Sequence, residues 1–218
     1  MTSLSKKPVD WRQASSRQER SRLIREALFK AAADVVGERG YQDASITLIT
    51  QRANVAQGTF YNHFESRQDI LDQLLPALGK DMLAYIREQA KQGKTLIERE
   101  ELAFRAFFSF LHENPNFFRI LNEAESFAPE GYRQHLDQIA SGYMRMLKRG
   151  LDNNELPGYE ERELEVLAFI MMSARTYLGW RYANGNDQNA TIPDWVTVAY
   201  SKFIRYGFSG APAGQTDR

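Results

Sequence analysis

Apolar residues recur at spacings of three and four along most of the chain, and no segment alternates strictly, so the pattern predicts an all-α protein. From Arg17 to Arg39 the positions Ile24, Ala27, Leu28, Ala31, Ala32, Val35 and Val36 form one stripe, and Gly40 follows as a C-cap. Ser45 is a good N-cap for a helix that starts at Ile46 and turns Ile49 and Ala53 inward. Asn54 ends that helix, because Asn tolerates the left-handed backbone of a sharp turn, and Val55 is expected to plug the turn into the core. A second short helix is expected from about Ala56 to His63, with Phe60 and Phe64 packed inward at i, i+4 spacing.

Downstream the pattern stays helical. Ser66 caps a helix carrying Ile70, Leu71, Leu74, Leu75, Leu78, Leu83 and Ile86, and Pro76 inside it predicts a kink or break near Asp72–Leu75. Lys91 to Lys94 reads as a turn, and Thr95 caps a helix rich in phenylalanine. Asn114-Pro115 and Pro129 open two further helices, and Asn153 to Gly158 is a loop. Two last helices are expected at about Glu160–Tyr182 and Pro193–Tyr206, separated by a polar loop from Asn184 to Thr191. The total is about nine helices. The boundaries divide the chain into a flexible basic arm (1–16), a first helical segment (17–66), a larger helical segment (67–208) and a flexible tail (209–218).

The stretch from Thr47 to Phe64 reads as two short helices joined by a tight turn, a helix-turn-helix whose second helix is offered to a DNA major groove. With Phe60 and Phe64 inward, Gln57, Thr59, Tyr61, Asn62 and His63 make a face of hydrogen-bonding groups. Gln57, Thr59 and Asn62 are the candidates for base edges, since Asn and Gln pair bidentately with adenine. Ser45, Thr47, Tyr61, His63 and Arg67 are assigned to phosphates, and Gly58 permits close approach of the backbone.

From Arg22 to Leu71 the chain resembles the TetR/AcrR family of one-component transcriptional regulators. The resemblance rests on Gly40-Tyr41, Ser45-Ile46, Ile49, Ala53-Asn54-Val55, Gly58 to Phe64, Arg67, Ile70 and Leu71. The family pattern prefers Ala at Thr50, Gly at Asn54, Ser at Ala56, Lys at Gln57, Leu at Phe60 and Lys at Arg67. Ala56 lacks the capping hydroxyl and Gln57 the positive charge. The resemblance implies an N-terminal three-helix reading domain followed by a helical effector and dimerisation domain. It also implies that the last two helices of each subunit pack as a four-helix bundle across a two-fold axis. Phe169, Met172, Trp180, Val198, Ala199, Phe203 and Tyr206 would lie in that interface. Dimerisation has an independent motive, because a two-fold dimer reads two half-sites of a near-palindromic double-stranded operator.

Charge sharpens this picture. Lys and Arg balance Asp and Glu at 28 each, but residues 1–25 carry Lys6, Lys7, Arg12, Arg17, Arg20, Arg22 and Arg25 against only Asp10 and Glu19. A basic arm of this kind suits phosphates or a minor groove, and a solvated tail is the plain alternative. The chain has no cysteine, which removes disulfides, thiolate nucleophiles and cysteine-ligated metals. No apolar run reaches membrane-spanning length and the N-terminus lacks a signal-peptide core, so no membrane partner is expected and cytoplasmic residence is.

The Glu160–Tyr182 segment is apolar on all sides, which calls for cover either inside one domain or by a second subunit. Phe104, Phe107, Phe108, Phe118, Tyr143, Met144 and Met171 are candidate walls of a pocket for a small, largely apolar effector, although aromatics at helical spacing more often form plain core. Arg175 interrupts the apolar helix and needs a partner. Glu123, Glu125 or a ligand carboxylate or phosphate would serve. The stretch from Phe107 to Glu125 is similar to TetR members that regulate fatty-acid metabolism, which implies an acyl or acyl-CoA effector.

An enzyme is not expected. His63, His112 and His135 fall on three different helices without metal-site spacing, and there is neither a phosphate loop nor a nucleophile elbow. No metal and no cofactor is assigned. The reading is a ligand-responsive DNA-binding regulator, most simply a repressor released by its effector. A helical protein-binding adaptor is the alternative.

Overall fold

The computed structural model describes residues 10–182 and 192–208. Its helices are α1 (Arg17–Arg39), α2 (Ile46–Ala53), α3 (Gln57–Phe60), α4 (Arg67–Ala90), α5 (Leu96–Glu113), α6 (Pro115–Phe127), α7 (Pro129–Asp152), α8 (Leu164–Tyr182) and α9 (Asp194–Phe208). Single 3-10 turns occur at Trp11–Gln13 and Glu161–Glu163, and the described residues contain no strand. No helix among them is long and apolar enough to cross a membrane. The expected loop from Asn184 to Thr191, the tail from Ser209 and residues 1–9 of the arm lie outside the described residues.

Local chemistry sets the helix ends. Ser16 Oγ accepts the Glu19 N–H at 3.1 Å, while the Glu19 carboxylate reaches back to the Ser15 N–H at 2.7 Å. Ser45 Oγ caps α2 through the Leu48 N–H, Ser66 Oγ accepts from Asp69, and Thr95 Oγ1 accepts from Glu98. Gly40 ends α1 at φ +88° and Asn54 ends α2 at φ +55°, both in backbone that β-branched residues avoid.

Four expectations need correction. Helix α4 runs unbroken through Pro76, so no break occurs near Asp72–Leu75. Pro76 is itself buried, and Leu74, Leu75 and Leu78 around it are buried too, which holds the helix across the missing hydrogen bond. The second helix of the helix-turn-helix is only Gln57–Phe60, because Ala56 supplies no side-chain cap and the chain tightens into i, i+3 bonds from Asn62 to Thr59 and His63 to Phe60. The arm is not structureless throughout. Asp10 caps the Trp11–Gln13 turn, and the Trp11 ring faces the guanidinium groups of Arg12 and Arg20. Finally, α8 starts at Leu164 rather than near Glu160, which instead caps the short 3-10 turn.

The chain forms two compact units. The first comprises Met1–Asp81 and Asn114–Leu136, the second Met82–Glu113 and Asp137–Arg218. In the first, Leu28, Val36, Tyr41, Ile49, Phe60, Phe64, Ile70, Leu71, Leu74, Leu75 and Phe117 are buried. Each such side chain contributes about 1.5–3 kcal/mol of burial. Arg52 clamps α2 to α1 with a two-pronged pair to Glu38 at 2.7 and 2.5 Å, which lowers the Glu38 pKa. The second unit is built on Leu96, Phe104, Phe107, Phe108, Leu111, Leu147, Leu164, Met171, Val196, Tyr200 and Ile204.

Candidate functional site

Phe60 and Phe64 are fully buried, with rings 5.4 Å apart, and Phe64 meets Phe29 at the same distance. This anchor turns Gln57, Gly58, Tyr61 and Asn62 outward, with Thr59 and His63 half-buried beside them. Tyr61 is 56% exposed, its ring braced edge-on by Phe60. Nothing lies within 4 Å of the place a Cβ would take on Gly58, so the backbone there is open to a close partner. Thr47 is exposed, whereas the Ser45 hydroxyl is engaged in capping α2.

Arg25 fixes the end of this segment. Its guanidinium donates to the His63 carbonyl at 2.9 Å and to Gln73 Oε1 at 2.6 Å while lying 4.5 Å from the Phe64 ring. Burial, and then the Arg25 charge, lower the His63 pKa. His63 also borders a surface hollow of about 620 Å³ whose other walls are Arg17, Gln18, Ser21, Arg22 and Arg25. These arginines belong to the basic stretch of residues 1–25, but the contact residues singled out from the sequence began only at Ser45. Their signal was present in the excess of arginine between positions 17 and 25. Arg67 behaves differently from the phosphate role assigned to it, since its guanidinium donates to the carbonyls of Tyr41, Gln42 and Ala44. Those bonds tie the α1–α2 corner to the start of α4.

The second unit contains a buried polar cluster. Glu100 on α5 is 0% exposed, and its Oε1 accepts from Arg175 Nη2 at 2.8 Å and from the Tyr200 hydroxyl at 2.7 Å. Arg175 therefore pairs with Glu100, and not with Glu123 or Glu125. Glu123 binds Arg119 and the Tyr41 backbone instead. Burial pushes the Glu100 carboxyl upward, against the lowering influence of Arg175 and Tyr200. Burial works against the Arg175 charge, but Glu100 and the neighbouring tyrosine hydroxyls keep its pKa above the usual value. The guanidinium lies 5.1 Å from the Tyr143 ring centroid and 5.9 Å from that of Phe107. Phe104 stacks on Tyr200 at 3.9 Å, and Phe108 meets both Phe104 and Phe107. Among the expected pocket residues, Phe104, Phe107, Phe108, Tyr143 and Arg175 thus share one interior, Met171 is buried in the same unit, and Met144 borders a surface hollow with Asp137, Ala140 and Phe169. Phe118 belongs to the first unit. Glu100 was missed, hidden in a charged run that usually marks a solvated face.

On α8 and α9 a set of large apolar side chains is exposed: Val166, Phe169, Ile170, Tyr177 and Trp180 on the first, Trp195, Val198, Phe203 and Tyr206 on the second. Ala199 is exposed with them. Met172, expected in the same set, is buried inside the unit. No group of three or more His, Asp or Glu among the described residues could hold a metal ion.

Residues 28–74 match the model of the bacterial regulatory proteins of the tetR family. That match covers the helix-turn-helix and its flanks, so the likeness to the tetR family lies in this stretch. The chain is 28% identical over 120 residues to the fatty acid metabolism regulator protein of Bacillus subtilis, covering 55% of this chain and 62% of that protein. It is 38% identical over 66 residues to an uncharacterized HTH-type transcriptional regulator of the same organism, covering 30% of this chain and 32% of the relative. The matched stretch thus spans less than two thirds of these curated relatives. The crystal structure of FadR from Bacillus subtilis in complex with stearoyl-CoA superimposes with a TM-score of 0.70 at 20% identity, over 83% of this chain and 97% of that one. That likeness establishes the fold alone: an N-terminal helix-turn-helix and a helical remainder.

Proposed function

We propose that this chain is a TetR-family, ligand-responsive transcriptional regulator, a repressor that binds a near-palindromic operator as a homodimer. The observation that carries the reading is the short α3 and the turn after it, held from behind by Phe60 and Phe64 and presenting Gln57, Tyr61 and Asn62 outward with Thr59 half-buried beside them. Gln57, Thr59 and Asn62 read base edges, while Thr47, Tyr61, His63 and the Gly58 backbone approach phosphates. Arg17 and Arg22, at the hollow beside His63, add phosphate contacts. Arg67 supports the reading head from within.

The large apolar side chains left exposed on α8 and α9 support a dimer, since clustered apolar surface open to water marks an interaction site. Two subunits then place their reading segments in successive major grooves, about 34–36 Å apart. The aromatic interior of the second unit, together with a relative named for fatty acid metabolism and a fold neighbour bound to stearoyl-CoA, supports a largely apolar effector of the acyl or acyl-CoA class. Effector binding then favours a state that fits DNA poorly. The setting is the cytoplasm, where the operator is.

The test is a gel shift of the purified protein on its own upstream DNA across a salt series, with an unrelated duplex as competitor. A discrete, competition-resistant complex of dimer stoichiometry is expected. Weak binding that salt abolishes equally on both duplexes would leave only electrostatic contact and favour the adaptor.

A further inference from the structure

Three polar atoms of the buried cluster make no hydrogen bond: Glu100 Oε2, Arg175 Nε and the Tyr143 hydroxyl. Glu100, Tyr143 and Tyr200 are each more than nine-tenths buried, and the Arg175 side chain is nearly so. The unpaired atoms are not scattered. Glu100 and Tyr143 both face the Arg175 guanidinium, the first at 2.8 Å and the second through its ring at 5.1 Å. Buried groups of this kind are ordinarily satisfied, and leaving several unsatisfied in one place opposes folding unless something else uses them.

Their chemistry specifies what would satisfy them. A carboxylate oxygen only accepts, a guanidinium Nε–H only donates, and a phenol does both. A partner for all three must therefore donate as well as accept. Its charge is constrained too. Arg175 is already neutralised by Glu100, so an added anion would lack a free cation and would meet the second oxygen of Glu100. A free carboxylate fails on both counts, and an ester fails because it cannot donate. The rings of Phe104, Phe107 and Phe108 beside the cluster match an apolar body.

We infer that the Glu100–Arg175–Tyr143 cluster is the polar anchor for an effector whose buried end is an uncharged hydroxyl or carboxamide on an otherwise apolar molecule. This rests on the reading of the chain as a regulator responsive to a largely apolar effector, and it narrows that class: a carboxylate or thioester head does not suit this cluster, whereas an alcohol or amide does. Tyr200 is a positioning residue here, holding Glu100 Oε1 so that Oε2 stays available.

The experiment is calorimetric titration of the full chain with decyl alcohol, decanamide, methyl decanoate and decanoate, which share an apolar chain and differ in the head. The alcohol and the amide are expected to bind at least about tenfold more tightly than the ester and the carboxylate, the scale of one buried hydrogen bond. Tyr143→Phe removes an unpaired hydroxyl without changing the ring, so it should fold, as circular dichroism will check. It should shrink the advantage of the alcohol over the ester severalfold. The inference is overturned if the carboxylate or ester binds as well as the alcohol, if no member of the set binds, or if Tyr143→Phe leaves the preference intact. A gel shift on the same preparations separates the two failures. Intact operator binding with no head-group preference removes only this anchor, whereas loss of specific DNA binding removes the regulator reading itself.

Discussion

Glu123, on α6, accepts the backbone N–H of Tyr41 at 2.9 Å across a sequence separation of 82 residues. The same side chain takes Arg119 Nε on its other oxygen at 3.0 Å, and Arg119 in turn donates to the Glu38 carbonyl at 2.8 Å. Helix α6 is thereby fastened to the corner between α1 and α2, directly behind the helix-turn-helix. The corner has no slack. Gly40 sits at φ +88°, and a Cβ there would fall 2.8 Å from Glu123 Oε2. Glu123→Ala should cost about 1.5–3 kcal/mol, the usual range for a hydrogen bond to a charged group, in urea unfolding. Glu123→Gln keeps an acceptor and should cost less. Equal stability of Glu123→Ala and the parent would show that the fastening contributes nothing.

His135 gives the chain an acid limb. It is 0% exposed, neither ring nitrogen has a hydrogen-bond partner, and burial lowers its pKa to about 4. A group whose folded pKa is depressed contributes stability that is complete above its unfolded value near 6.5 and lost as pH falls through the folded value. Stability should therefore decline by roughly 3 kcal/mol between about pH 6.5 and pH 4 from this residue alone. His135→Leu should flatten that decline and, by removing an unsatisfied buried group, should not destabilise the protein at neutral pH. An unchanged pH profile in the variant would sink the assignment.

The same imidazole explains a glycine inside a helix. A Cβ added to Gly79 on α4 would lie 2.2 Å from His135 Nδ1, far inside contact distance. Gly79→Ala would ordinarily stabilise a helix by about 1 kcal/mol; here it should destabilise. The double variant with His135→Ala should recover much of the loss. Strict additivity in that cycle would refute the clash.

What the sequence disclosed and what it withheld follow one physical division. Caps and turns depend on residues a few positions apart, and Ser45, Asn54, Ser66 and Thr95 behave as their chemistry dictates. The inward placement of Phe60 and Phe64 was legible from spacing alone. Partners distant in sequence were not. Arg175 announced that it needed an anion, but nothing local distinguished Glu100, 75 residues away, from the glutamates of α6. One clue existed: Glu100 falls on the stripe of Leu96, Phe104, Phe107 and Leu111, where a charge is out of place. Arg67 was misjudged for the same reason, because the carbonyls it binds belong to a corner some 25 residues upstream.

Tyr61 and Asn62 should separate affinity from specificity. Tyr61→Phe removes one hydroxyl from an exposed ring and should weaken all DNA sequences alike by about 1 kcal/mol. Asn62→Ala should relax preference at a single base pair by about 1–3 kcal/mol, read by binding-site selection. An unchanged selection profile would move Asn62 to the backbone contacts, and sequence-dependent loss in Tyr61→Phe would move Tyr61 to the bases.

If α8 and α9 carry the proposed subunit contact, exposure separates contact from interior packing residue by residue. Trp180 is 64% exposed and Tyr206 75%, whereas Met172 is buried in the same helix that carries Trp180. A charge on an exposed position costs the isolated subunit within about 0.5 kcal/mol, but in an interface it is desolvated without a partner. Phe203→Glu and Trp180→Glu should therefore retain their helical spectrum yet sediment as monomers where the parent sediments as a dimer, and should lose the retarded operator complex. Met172→Ala should do the reverse: it should lower stability by about 2–5 kcal/mol through the cavity it leaves, with the sedimentation coefficient unchanged. A parent protein that is monomeric at micromolar concentration, or a Phe203→Glu variant that remains dimeric, would place the subunit interface elsewhere and leave these faces for another partner.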